Sequence, residues 1–407
     1  LSMRQKHCYG VGHIQNDLIA YAGFSYLLVF FTKVVGISSG NTGIIFLTGQ
    51  VANSVLSPAV GYACDRFRVP FLGRVGHRKA WHLIGVLIMA GSLPFLFSPC
   101  LPCSETSSEW VALIYYTVVL VATNFGFTAI EISHLSLLPK IAVRSTDFVK
   151  LNSLRTAWMF LSGIFVYGLM WILLGESSGE NLSHDQWREF MSLGLIISGL
   201  GIFFAGMFHI GTKEPKKDHG KLACNHRDPE RRGQQEKISK AYHWFKRQEF
   251  YTLCLVFMCT KVVINMSNSY FPLYLVDALH FEKEAIAYFP LIVLVSSSLF
   301  SYLSKKITRY IGNKMSFCAG AVGVIGAYTW FYIQPISSKQ AVYGASVLMG
   351  GGYSLMLVTM LTMLAEMINH IDKESGAFVY GTASLVDKLA NGIIIAVIQE
   401  FYPKADR

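Results

Sequence analysis

Charge is what this chain of 407 residues has least of. Asp, Glu, Lys and Arg make up 15% of it, against about 25% in an ordinary soluble domain. A soluble helical protein of this length would carry polar stripes along most of its helices, and most of the apolar runs here have none. Catalytic signatures are also missing. No G-x-S-x-G, H-E-x-x-H, P-loop or G-x-G-x-x-G occurs in a suitable setting, so neither an enzyme nor a cofactor is expected. The glycine cluster Gly350-Gly351-Gly352 lies in an apolar run, where close helix packing or a flexible gate explains it better than phosphate binding.

The eight cysteines make no disulfide framework. Cys8, Cys64, Cys254, Cys259 and Cys318 fall in or beside apolar stretches, where cysteine acts as a small hydrophobe. Cys100-Leu-Pro-Cys103 is spaced to close a local disulfide, and the two further ligands that a zinc site needs are not found nearby, so no metal is expected. Cys224-Asn-His226 reads as incidental. No cleavable leader is expected from these residues, because Arg4 and Lys6 run straight into the first apolar stretch without a small-residue cleavage site.

Runs of about 20 apolar residues, each long enough to cross a hydrocarbon core, fill most of the chain. The hydrophobic share of 52% alone decides little, but 14% aromatics and a mean hydropathy of +0.40 fit the runs. Spans are predicted at 9–32, 43–64, 80–99, 110–139, 151–174, 188–211, 250–276, 284–304, 314–334, 341–366 and 378–401. The fold class is therefore an all-α polytopic membrane protein.

The net charge of +10 is not a nucleic-acid footprint, because it is gathered into particular loops. Segment 213–249 holds eleven Lys/Arg and six acids, and 65–79, 140–150 and 305–314 are also basic, whereas 100–109, 175–187 and 277–283 are not. This alternation is the positive-inside pattern and predicts a cytosolic N-terminus. It divides the chain into an N-terminal six-helix bundle (1–212), a basic cytosolic linker (213–249) and a C-terminal bundle (250–407) with five spans. The end of the linker, residues 241–247, is amphipathic and suited to the membrane surface. Two bundles around a linker predict a pseudo-symmetric carrier with a midplane site. On that plan a twelfth helix would follow Arg407. Asn181-Leu182-Ser183 is a glycosylation acceptor in a predicted non-cytosolic loop, whereas Asn265-Met266-Ser267 fits the pattern inside an apolar span.

Ionisable residues inside these spans cost roughly 2.5–3.5 kcal/mol each on insertion scales, and so face a cavity or a partner. His13, Asn16 and Asp17 lie in the first span, with His13 and Asp17 one turn apart on one face. Asn124, Glu131 and His134 lie in the fourth, Asn152 and Arg155 in the fifth, Lys261 and Asn265 in the seventh. In the eleventh, Ser384, Lys388 and Asn391 share a face from which Asp387 points away. Mutual pairing would explain any one of them. Spread over five spans with both signs of charge, the set is better explained by a substrate cavity.

Gly61-Tyr62-Ala63-Cys64-Asp65-Arg66, followed by a basic loop with Arg74 and Arg78, resembles the latch loop after the second helix of major facilitator transporters. Lys305-Lys306-Ile307-Thr308-Arg309 faintly repeats it in the second half. Four further stretches make the resemblance specific: Arg78-Lys79-Ala80-Trp81-His82-Leu83, Ile132-Ser133-His134-Leu135-Ser136-Leu137, Ser375-Gly376-Ala377-Phe378-Val379-Tyr380-Gly381 and Asp387-Lys388-Leu389-Ala390-Asn391-Gly392. Over nearly its whole length the chain resembles the glycoside–pentoside–hexuronide cation symporters, the melibiose-carrier branch of that superfamily. Within the branch it looks most like lysosomal and melanosomal carriers implicated in cysteine import.

The resemblance implies two six-helix bundles, with Asp65, Arg66, Arg74 and Arg78 as the gating set. It also implies substrate binding by Asp17, Glu131, Arg155 and Lys388. Lys261 and Asn391 join these from the reading of the spans, and His13, His134 and Glu131 are the proton-coupling candidates. The branch's sodium site needs two acids in D-x-x-x-D-P, where this chain has Asn53-Ser54-Val55-Leu56-Ser57-Pro58. Neither position offers the charged oxygen a hard cation wants. The expected function is thus secondary transport of a small polar solute, cysteine foremost, with protons and the bilayer as its other partners. A lysolipid transporter of the same branch and a non-transporting scaffold are the alternatives.

Overall fold

In lipid every backbone polar group must be satisfied within the chain, so long apolar runs fold as helices. The computed structural model describes residues 2–67, 69–70, 72, 75–104, 106–142, 145–214, 244–335, 339–371 and 376–402. Among them are eleven helices of membrane-spanning length and composition. They are α1 (Met3–Val35), α2 (Ser39–Arg66), α3 (His77–Leu96), α4 (Glu109–Ile141), α5 (Ser145–Glu176) and α6 (Trp187–Gly211). After the linker come α7 (Gln248–Leu273), α8 (Ala285–Ser304), α9 (Lys306–Ile333), α10 (Ala341–Ile371) and α11 (Gly376–Phe401). All eleven predicted spans are present. Helices α8 and α9 run on as one helical stretch, Ala285–Ile333, kinked within α9 at Gly312, whose φ of 78° and ψ of 167° few other residues adopt. Most of the linker, including Cys224 and His226, lies outside the described residues.

Polarity is arranged inside out. Leu87, Ile114, Val118, Ile172, Phe203 and Ile210 are exposed, while His13, Asn16, Asp17, His82 and His134 are buried. An apolar exterior with the ionisable side chains kept inside is what a bilayer selects.

The residues form two compact units. One comprises Leu1–Pro215, Asn265–Val295 and Asn391–Arg407; the other comprises Lys216–Ile264 and Ser296–Ala390. In the first, α1 is central. Its Phe30 packs 5.7 Å from Phe97, just past the end of α3, and 5.3 Å from Phe190 of α6, and its Phe31 lies 4.8 Å from Tyr116 of α4. Helices α3 and α4 approach closely because glycines meet at their crossing: a Cβ added to Gly85 or Gly126 would stand 2.8 Å from the other's carbonyl oxygen. Without lipid-versus-water hydrophobicity to drive association, such close backbone packing is what joins membrane helices.

The second unit repeats the device. A Cβ on Gly352 of α10 would stand 2.8 Å from the Gly320 carbonyl oxygen of α9. The cluster Gly350-Gly351-Gly352 is thus a helix-packing site, and the α3–α4 and α9–α10 pairs correspond, as in a pseudo-symmetric carrier. The core of this unit includes Phe250, Phe257, Met360 and Leu364, with Trp244 of the linker's end buried beside Phe250.

Candidate functional site

The first turns of α1 carry more polar atoms than a membrane helix tolerates alone, and neighbouring helices take up most of them. Asn16 donates to the Phe127 carbonyl of α4 at 2.9 Å, and Gln15 to Val86 of α3 at 3.4 Å. His13 and Asp17, on one face, are joined at 2.9 Å between Nδ1 and Oδ1. From α5, Arg155 Nη2 comes to 3.5 Å of His13 Nε2.

These contacts fix protons. A guanidinium only donates, so His13 Nε2 presents its lone pair to Arg155 and Nδ1 carries the hydrogen given to Asp17. The imidazole of His13 therefore sits between the Arg155 guanidinium and the Asp17 carboxylate. The second carboxylate oxygen, Asp17 Oδ2, is buried with no donor among the described residues. Arg155 is half-buried and forms no ion pair with a carboxylate among the described residues.

Three more histidines extend the cluster. His134 of α4 donates from Nε2 to the Tyr9 carbonyl at 2.8 Å, its ring stacked at 4.2 Å on that of Tyr9 and 5.6 Å from that of His13. His82 of α3 donates from Nε2 to the Gly12 carbonyl at 2.8 Å. Its Nδ1 then accepts from His209 Nε2 of α6 at 3.1 Å. Beside them, the Lys79 ammonium donates to the carbonyls of His209 (2.8 Å) and Thr212 (2.7 Å). His82, His209 and Lys79 did not figure among the site residues expected from sequence. Their position inside apolar helices was the available clue.

The other expected residues divide. Glu131 is half-buried on α4, without a hydrogen bond or ion pair among the described residues. Asn391 is buried in the first unit, whereas Lys261 and Lys388 are half-buried in the second. Asn53, at the place of the branch's first sodium-binding acid, accepts from Thr128 Oγ1 at 3.5 Å, and its carbonyl accepts from Ser57 at 2.8 Å.

In the gating set, Arg66 is exposed with its guanidinium 5.2 Å from the Tyr62 ring centre. The Arg78 side chain donates to the Ser136 carbonyl. Arg74 and the Asp65 side chain lie outside the described residues. A residue missed by sequence reasoning anchors this region: Glu214 accepts the backbone N–H of Arg78 (3.0 Å) and of Lys79 (3.3 Å). It places an anion on the N-terminus of α3, where the helix dipole favours one.

On the opposite face, Cys100 and Cys103 form the expected local disulfide, and Asn181 is exposed. Lys283 is buried, its ammonium donating to the carbonyls of Ser177 (2.7 Å) and Ser178 (3.1 Å) beyond the end of α5. Lys33 of α1 pairs with Asp277 at 2.7 Å, and Tyr402 donates to the other Asp277 oxygen at 3.1 Å.

Helices with an apolar exterior, glycine-mediated crossings repeated in both halves and ionisable groups gathered inside define a polytopic carrier of the major facilitator type. The solved structure of the xylose transporter XylE from E. coli, in a partially occluded inward-open conformation, has this fold. It superposes with a TM-score of 0.68 over 99% of this chain and 93% of its own, at 14% identity. The family described as MFS/sugar transport protein matches residues 8–399. The human "Major facilitator superfamily domain-containing protein 12" is 37% identical, over 99% of this chain and 86% of its own length. The "Uncharacterized symporter YnaJ" of Bacillus subtilis is 22% identical, over 99% and 80%. The chain belongs to the MFS/sugar transport family of membrane transporters.

Proposed function

We propose that this transporter carries cysteine from the cytosol into lysosomes and melanosomes by alternating access, with protons as coupling ion and its N-terminus in the cytosol. The observation that carries the reading is a pair of unspent charges in one bundle. Among the described residues, Asp17 keeps a buried oxygen without a donor, and Arg155 is a half-buried guanidinium with no carboxylate partner. An α-amino acid brings an ammonium for the first and a carboxylate for the second, which arginine can hold bidentately. Glu131 is a second receptor for the ammonium, and Lys261, Lys388 and Asn391 complete the binding set from the other spans. The resemblance to lysosomal and melanosomal carriers supports cysteine as the particular amino acid.

Coupling follows from the tautomer of His13. Protonating Nε2 places an N–H where Arg155 donates, so the proton and the Arg155 contact exclude one another. A proton arriving at His13 releases Arg155 for the substrate carboxylate. His134 and Glu131 are further stations for that proton. Asp65, Arg66, Arg74 and Arg78 gate the cytosolic side, and Asn181 carries an N-glycan on the lumenal one.

The test is uptake of labelled cysteine by liposomes holding the purified carrier, with and without an imposed pH gradient. Saturable uptake that responds to the gradient and is lost in Arg155→Ala is expected. No uptake, beside a working control carrier, overturns the cysteine assignment, and lysolipids are then the substrates to try in the same liposomes.

A further inference from the structure

A pocket apart from the His13–Asp17–Arg155 cluster opens on the face opposite the 66–79 loop. It encloses about 420 Å³ between the α1–α2 turn, the α3–α4 turn and the start of α6. Cys100 and Cys103, joined as a disulfide, both line it, and both are half-buried rather than sealed in the core. A disulfide exchanges only when a thiolate reaches one of its sulfurs, and here both cysteines line a pocket.

Two side chains in the same wall say what kind of thiol the pocket suits. His184 Nδ1 lies 2.6 Å from the Val34 carbonyl oxygen. A carbonyl only accepts, so Nδ1 holds the hydrogen and Nε2 of the neutral ring keeps its lone pair. That nitrogen has no partner among the described residues. Glu109, whose carboxylate also accepts the Ser38 backbone N–H, is the one charged side chain, histidine aside, among the described lining. The pocket is thus acidic, with a base beside a disulfide.

We propose that this pocket is a thiol–disulfide exchange site for small cationic aminothiols. The ammonium of the aminothiol pairs with Glu109 while His184 Nε2 takes the thiol proton. The thiolate forms a bond to one protein sulfur, and the other leaves as a thiolate that takes up the proton. A second aminothiol attacks the mixed disulfide and departs with the first as a small disulfide. The protein thereby gains two electrons and two protons, all supplied by the two thiols. The inference goes beyond the transport reading and holds whatever the cargo is.

The experiment uses the purified full chain in detergent, exposed to cysteamine or to glutathione at equal thiolate concentration. Samples are quenched with acid, alkylated and scored by the mass of the Cys100–Cys103 peptide. Cysteamine should open the bond faster than glutathione by about fivefold, the worth of one charge contact near 4 Å in water. High salt should narrow that ratio in the unaltered protein, and Glu109→Gln should remove it, while His184→Gln slows both thiols. The salt series keeps the proposal testable if Glu109→Gln fails to fold. Equal rates for the two thiols, a ratio indifferent to salt, or a bond untouched by millimolar cysteamine would each overturn the proposal.

Discussion

His13 and Asp17, one turn apart on α1, share a proton at 2.9 Å, and Arg155 on α5 holds the far side of the same imidazole at 3.5 Å. The short contact is charge-assisted and the long one is at the limit of a hydrogen bond, so Arg155 is the partner that leaves first. Asp17→Asn keeps the shape and removes the charge. A hydrogen bond to a charged group is worth about 1.5–3 kcal/mol, so uptake should fall by roughly ten- to a hundredfold while the chain still reaches the membrane. Uptake by Asp17→Asn equal to that of the unaltered carrier would remove Asp17 from the site.

Glu214 sits just past α6, yet its carboxylate accepts backbone N–H groups at the start of α3. Glu214→Ala strips an anion from a helix N-terminus, a loss of about 1 kcal/mol. The melting temperature in detergent should drop by roughly 2–4 °C. Glu214→Asp, with a shorter reach, should fall between the two, and identical melting of all three proteins would show that the contact contributes nothing.

How much of the molecule is legible in its sequence differs between elements. All eleven spans could be placed because an apolar run of bilayer length is rarely anything but a membrane helix. The His13–Asp17 pair was legible too, since i and i+4 share a helix face. What joins different helices was not. Nothing local says that Glu214 reaches α3, that Arg155 meets His13, or that His82 meets His209 across 127 positions. Lys283 could be seen as a charge in a short loop, but not as a buried amine held by carbonyls more than a hundred residues earlier.

Lys6 and Asp147 form an ion pair at 2.9 Å between the start of α1 and the start of α5. The hydrogen bond from Lys6 holds the Asp147 carboxyl below its ordinary value of 3.8, outweighing a smaller opposing effect of burial. A depressed acid contributes stability that is present above the unfolded value and is lost as pH falls through the folded one. Melting temperature should therefore decline in acid below about pH 4, the ordinary carboxylate range. Asp147→Asn should flatten part of that decline and change nothing in its shape above pH 6. Superimposable acid limbs for the two proteins would refute the link.

Lys33, Asp277 and Tyr402 tie the ends of α1, α7 and α11 on the face opposite the basic loop. Burial, then the neighbouring Asp277 charge, pushes the Tyr402 phenol up to about 12. It therefore stays protonated at any physiological pH and remains a donor to Asp277. The Lys33 and Asp277 side chains are 28% and 29% exposed, so solvent weakens their attraction, and a coupling of only about 0.5–1 kcal/mol is expected. A cycle of Lys33→Met, Asp277→Asn and the double variant measures it by melting in detergent. The double variant should be destabilised less than the sum of the singles, because Lys33→Met alone leaves Asp277 with the phenol as its remaining partner. Function adds a second reading. An alternating carrier must part these helix ends to open that face, so the double variant should also raise the alkylation rate of a cysteine placed at Thr32, just inside the tie. Strict additivity of the two losses, with no change in alkylation, would mean that the pair adorns the surface and holds nothing shut.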